Sequence, residues 1–123
     1  MSDRAADELL RRVQAGRERW LDLDARHAVK IRRPAEATWP ALRAGGLPAL
    51  LGCVVDWRGP GFTVGGILGD AAQPEEAEKP ATFSSALWLE MAMDRAAWCA
   101  EVAEAITADV ATFAAKREAA AGN

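Results

Sequence analysis

The sequence predicts an α+β fold, predominantly helical, with one small antiparallel β-hairpin. Three observations carry this: apolar residues recur at three-and-four spacing towards both ends of the chain, residues 20–33 alternate in polarity instead, and glycine and proline concentrate in residues 59–82. A chain of 123 residues fits a single domain, residues 1–123. It can bury about two-thirds of the surface its unfolded form exposes without help from a disulfide or a metal.

Within residues 1–19, Ala6, Leu9, Leu10 and Val13 follow helical spacing, continued by Trp20 just beyond. Ser2 or Asp3 stands where a cap for the first exposed amides is needed, and Gly16 marks where the helix frays. Asp7 and Glu8 precede Arg11 and Arg12 by four residues, the favourable order for pairs on a helix surface. Residues 20–33 form two short strands joined near "DARH". Trp20, Asp22 and Asp24 share one parity and Leu21 and Leu23 the other, while Val29 and Ile31 alternate with Lys30 and Arg32. Acids of the first strand can then face basic residues of the second, which helps register. Pro34, with no amide proton to give, ends the ladder.

Residues 34–58 are expected to be helical. The first helix, "PAEATWPALRAGG", starts near Pro34, is disturbed at Pro40 and closes at Gly45 and Gly46. In the second, Leu47, Leu50, Leu51, Val54 and Trp57 keep three-and-four spacing as far as "DWRG", with Gly59 as the C-cap. Residues 59–82 hold five glycines and three prolines and end in an acidic cluster, the composition of a long irregular loop with at most a brief strand at "FTVGGIL".

Residues 83–121 give the clearest helical signal in the chain. Ser84 or Ser85 caps a segment presenting Leu87, Trp88, Met91 and Ala92. Asp94 either continues that helix or caps the next one. There Trp98, Val102, Ile106, Val110 and Phe113 make a stripe opposite Glu101, Glu104 and Asp109. Lys116 and Arg117 suit the negative end of the helix dipole.

Composition narrows the function. Much of the apolar half of the sequence is alanine, which favours helix and fills little volume, so five tryptophans and three phenylalanines must supply most of the core. Cys53 and Cys99 stand far apart in apolar surroundings, as buried free thiols of a reducing compartment do. No stretch approaches the roughly twenty apolar residues of a membrane span, and the charged start differs from a signal peptide. The expectation is a soluble, cytoplasmic protein that meets no membrane. Net charge is −3, unevenly spread: residues 1–58 carry eleven basic and eight acidic side chains, residues 59–123 four and ten. A chain so divided can pack its halves on each other, associate with further copies as a homo-oligomer, or meet a basic partner through its second half.

Chemistry is sparse. A phosphate loop needs consecutive free amides at the start of a helix, and "GPGFTVGG" spends a central position on Pro60. The glycine spacing misses the dinucleotide pattern by one residue. His27 is the only histidine, neither cysteine has a second ligand at metal spacing, and the three serines stand at helix starts where capping accounts for them. Glu75, Glu76 and Glu78 sit in the acidic loop, which solvates charge better than it perturbs a pKa. No enzyme, cofactor or metal is expected. The arginine-rich first third leaves one other class open, a small nucleic-acid-binding regulator, although interleaved acids weigh against it.

The order of "AVKIRRP", "LLGCVVDWRG", "FSSALWLEM" and the acidic, alanine-rich residues 94–123 resembles that of the small tail assembly chaperones of long-tailed phages and prophages. The likeness covers most of residues 20–123, and the Val-Val-Asp-Trp-x-Gly turn is its most specific part. The resemblance implies a non-catalytic protein of the host cytoplasm that coats the tape measure protein and assists delivery of tail tube subunits. A partner with an apolar groove could cover an exposed apolar helix. Trp57, Trp88, Met91 and Trp98 are the candidate partner-binding residues, the last three near a joint between C-terminal helices where a groove could open.

Overall fold

A computed structural model describes residues 3–122. Ser2, one of the two candidate caps, lies outside the described residues. The fold is α+β and predominantly helical. Helix α1 (Asp3–Ala15) leads through a short turn into strand β1 (Glu18–Asp24), which pairs antiparallel with β2 (His27–Arg32). The pairing runs from Glu18↔Arg32 to Asp24↔His27. Asp22 and Asp24 face Ala28 and His27 rather than Lys30 and Arg32, and the acid that meets a base is Glu18, to which the Arg32 Nε–H donates at 2.8 Å. On α1 the pair that forms is Arg11 with Glu8 at 2.6 Å, three residues apart rather than four.

The sheet has a third strand, and here the expected helix over residues 47–58 is corrected. Only Leu47–Leu51 is helical (α3), after α2 (Trp39–Ala44). In α2 Pro40 occupies the first turn, where its missing N–H is tolerated, so it starts the helix rather than disturbing it. Beyond Gly52 and Cys53 the chain becomes β3 (Val54–Arg58), which pairs antiparallel with β2 in the order β1-β2-β3. The helical spacing of Val54 and Trp57 has a different cause. Lys30 pairs with Asp56 and Ile31 with Val54, so a bulge passes over Val55 and turns two residues three apart to the same buried face.

Gly59 therefore follows a strand and does not cap a helix. Its φ of 122° is open to glycine, and a side chain there would run into the Arg26 carbonyl. Residues 59–82 are more structured than a loop. Single 3-10 turns at Pro60–Phe62 and Gly69–Ala71 flank the short helix α4 (Val64–Leu68), which takes the place of the expected strand. Thr63 caps α4, its Oγ1 accepting from the Gly66 amide at 3.0 Å. The segment doubles back on itself: Val64 N–H donates to Lys79, Gly65 N–H to Ala77 and Ala81 N–H to Phe62, all within 2.9 Å.

Helices α5 (Ser85–Met93) and α6 (Ala96–Ala121) complete the chain. Ser84 caps α5 by accepting from the Leu87 amide. Asp94 neither continues α5 nor caps α6; it closes α5, and Arg95 precedes α6 without a side-chain cap. Helix α6 runs past Lys116 and Arg117, and Arg117 pairs with Glu36 at 2.6 Å. The core lies between one sheet face and helices α3, α5 and α6, with Val29, Ile31, Leu51, Val54, Trp57, Trp88, Trp98, Val102 and Ile106 buried in it. The opposite sheet face is polar around one aromatic ring: the Arg58 guanidinium sits 4.1 Å and the Lys30 ammonium 5.3 Å from the centre of Trp20.

Candidate functional site

The residues expected to bind a partner are brought together, but inside the protein. Trp57, Trp88 and Trp98 are 6%, 1% and 4% exposed, and Met91 is half-buried against the same core. Trp57 stacks on Phe62 at 4.5 Å and donates its indole N–H to the Ala81 carbonyl at 2.8 Å. Trp88 donates to the Leu51 carbonyl at 3.0 Å and stacks on Trp98 at 5.8 Å. The Cys99 thiol reaches the Ala92 carbonyl across the joint between α5 and α6. Large rings and satisfied indole donors fill that joint. In this fold the three tryptophans build the core.

His27 stands at the start of β2, with a side chain only 10% exposed. Its Nδ1 lies 2.8 Å from Asp24, and its ring packs against Phe62 and Trp98 with centres 4.8 and 4.7 Å away. Partial burial opposes the charge on Asp24. The Arg26 amide, the His27 ring and the Trp98 indole together outweigh it, so the carboxyl sits below its ordinary value. The ring lies over Gly61 in the space a side chain would need. Asp24 and His27 thus form a structural latch between the hairpin and the turn after β3. Cys53 is buried and free, and burial pushes its thiol up, away from the reactive thiolate. Among the described residues no three His, Cys, Asp or Glu side chains gather as a metal set.

What the surface offers instead is a trough between β1 and α6. Alternation along β1 turns Arg19 and Leu21 towards α6, and two clefts lie end to end there. One, of about 330 Å³, is lined by Leu21, Ala105 and Ala108 with Glu101 and Glu104 at its rim. The other, of about 290 Å³, lies between Arg17, Arg19 and Arg33 on one side and Thr112, Phe113 and Lys116 on the other. The Arg19 to Asp109 ion pair, at 2.9 Å, lines the second cleft. Arg33 is held 3.7 Å over the Phe113 ring. Burial, and then the charge of Arg17, lower the pKa of Arg33. From Glu101 to Lys116 the trough follows about 22 Å of helix at roughly 1.5 Å per residue. The cleft at Leu21 is apolar with two acids beside it, and the cleft at Arg33 is mostly basic around Phe113.

Sequence reading missed this trough. Glu101, Glu104 and Asp109 were visible as the polar side of α6, but that β1 would lie beside them is a tertiary fact. No protein family, curated protein or solved structure matches the chain.

Proposed function

We propose that the chain is a tail assembly chaperone of long-tailed phages and prophages, acting in the host cytoplasm without catalysis. It shields apolar helical stretches of the tape measure protein and assists assembly of tail tube subunits. The observation that carries this reading is the trough between β1 and α6, which suits an amphipathic helix. Leu21, Ala105 and Ala108 supply an apolar floor of small and medium side chains, and Glu101 and Glu104 supply charge for lysines or arginines flanking the helix. A tape measure protein needs such cover, because a long apolar helix free in water associates with its neighbours.

Four arginines of the first third support this reading over the nucleic-acid one: Arg11, Arg19 and Arg32 are paired with acids, and Arg33 lies over an aromatic ring. The test is co-expression with the tape measure protein encoded in the same genome, reading its soluble fraction. Wild-type protein raises that fraction. Ala108→Trp, which fills the trough from an exposed position, and the double change Glu101→Lys with Glu104→Lys reduce the gain at least several-fold while leaving the fold intact by circular dichroism. No gain with wild-type protein would remove the chaperone reading.

A further inference from the structure

The pairing of β1 with β2 continues one bond beyond the strands, where the Arg33 N–H donates to the Arg17 carbonyl at 2.8 Å. Two arginines therefore stand opposite each other, an arrangement that costs stability when no anion lies between them. Both line the cleft of about 290 Å³ beside α6, together with Arg19 and Lys116. Two carboxylates line it as well, and both are engaged: Asp109 by Arg19 at 2.9 Å, and Glu18 by Arg32, whose Nε–H donates at 2.8 Å from outside the cleft. Arg17, Arg33 and Lys116 are left with no carboxylate in ion-pair range among the described residues. The lowered pKa of Arg33 reflects its burial first and the charge of Arg17 second, and Asp109 and Glu36 oppose the shift without cancelling it.

Arg33 is held in place. Its guanidinium lies 3.7 Å over the Phe113 ring, and one of its terminal N–H groups donates to the Pro34 carbonyl at 3.0 Å. A guanidinium fixed in this way keeps further in-plane donors, the edge that grips two oxygens of one phosphate. The Thr112 hydroxyl lines the same cleft and supplies a rotatable donor. We infer that this cleft binds the dianionic phosphate of a small molecule, with Arg17, Arg33 and Lys116 as its counter-charges. Charge selects a dianion: a single carboxylate would balance only one of these cations, whereas a phosphate monoester carries about −1.5 to −2 near neutral pH. Size selects a small molecule, because the cleft stands at the lower end of ligand sites yet exceeds a bare phosphate, and Phe113, 37% exposed, offers an apolar wall for the ester group. One phosphate subsite does not hold a nucleic-acid duplex at physiological salt, where affinity needs several. Inorganic phosphate shares the recognised chemistry and is the other source of it.

This site is independent of the chaperone reading, and its test uses neither tape measure protein nor solubility. The isotope-labelled full chain is titrated with inorganic phosphate and, separately, with phenyl phosphate, chloride holding the ionic strength constant, while amide and arginine Nε–H resonances are followed. Saturable shifts are expected at Arg17, Arg33, Thr112 and Lys116, with dissociation constants of about 1 mM or below. Tighter binding of phenyl phosphate assigns the site to a phosphorylated small molecule; equal binding keeps the phosphate site and overturns the place given to an ester group. Arg17→Gln and Lys116→Gln should each weaken binding at least about fivefold. Neither residue stacks on Phe113, so both tests stand even if Arg33→Gln disturbs that contact. Arg43→Gln, on α2 and outside the cleft, should change nothing. Shifts that never saturate at tens of millimolar phosphate would overturn the proposal. Shifts spread equally over Arg26 and Arg43, or an Arg17→Gln variant that binds as wild-type protein does, would overturn it too.

Discussion

His27 shows how a residue that looks chemical can be structural. It is the only histidine, and a lone histidine beside an aspartate invites a catalytic reading. Its Nδ1 is taken by Asp24, its faces by Phe62 and Trp98, and its far edge by the backbone at Gly61, which leaves no open side for a substrate. Asp24 carries the pH dependence of this latch. Its carboxyl sits below its ordinary value of 3.8, so the unfolded chain takes up a proton before the folded one does. The resulting stability is complete above the unfolded value and is lost as pH falls through the folded one. Asp24→Asn should therefore cost stability at pH 7 and cost progressively less below the ordinary aspartate value, until the two proteins converge. Because Asp24 is 44% exposed, the difference at neutral pH should be at most about 1 kcal/mol. Urea denaturation at pH 7 and in the acid range measures it, and a constant difference at both would exclude the linkage.

At the scale of elements, the sequence was legible wherever one periodicity ruled. The alternation in residues 20–33 gave the hairpin, and the stripe from Trp98 to Ile106 gave the buried side of α6. It failed where a strand borrowed the spacing of a helix. Leu50, Leu51, Val54 and Trp57 look continuous, yet the first two end α3 and the last two belong to β3, where the bulge at Val55 produces the step of three. The glycine-rich residues 59–82 were illegible for another reason: what orders them is mostly backbone hydrogen bonding, which leaves no side-chain pattern. Side chains fasten the segment too: Phe62 is buried beneath Trp57, and the Trp57 indole donates to Ala81. Trp57→Phe keeps most of the stacking on Phe62 and removes that donor. The lost bond costs about 1 kcal/mol, and the space left in the core lowers global stability further. Limited proteolysis should cut faster between Gln73 and Lys79 than the fall in global stability alone accounts for. Unchanged cutting would mean that the backbone bonds from Val64 to Lys79 and Gly65 to Ala77 suffice alone.

For the whole molecule the division of charge is the organising fact, and the fold joins the two halves at particular points. Arg19 of the basic half binds Asp109 of the acidic half, and Arg117 of the acidic half binds Glu36 of the basic one. Such pairing was one of the arrangements open to a chain so divided, and its location was not legible, because contacts 81 to 90 residues apart leave no local trace. The consequence concerns nucleic acid. Affinity for a duplex grows with the number of phosphates neutralised and falls steeply with salt, so it requires several cations free to turn outward on one face. In this fold Lys30 and Arg58 share Trp20, Arg33 covers Phe113, and Arg11, Arg19 and Arg32 hold carboxylates. Four arginines of the first third, Arg11, Arg19, Arg32 and Arg33, are thus already engaged within the fold. The protein should pass through a duplex DNA column at about 0.15 M salt, and its elution should change little with the sequence of the duplex. Arg19→Ala separates charge from architecture further: it removes a cation, yet frees Asp109 and changes the cleft they line together. On the present reading that variant leaves DNA behaviour unchanged and alters tape measure solubilisation. Retention of wild-type protein well above physiological salt, lost in Arg19→Ala, would instead favour a nucleic-acid regulator.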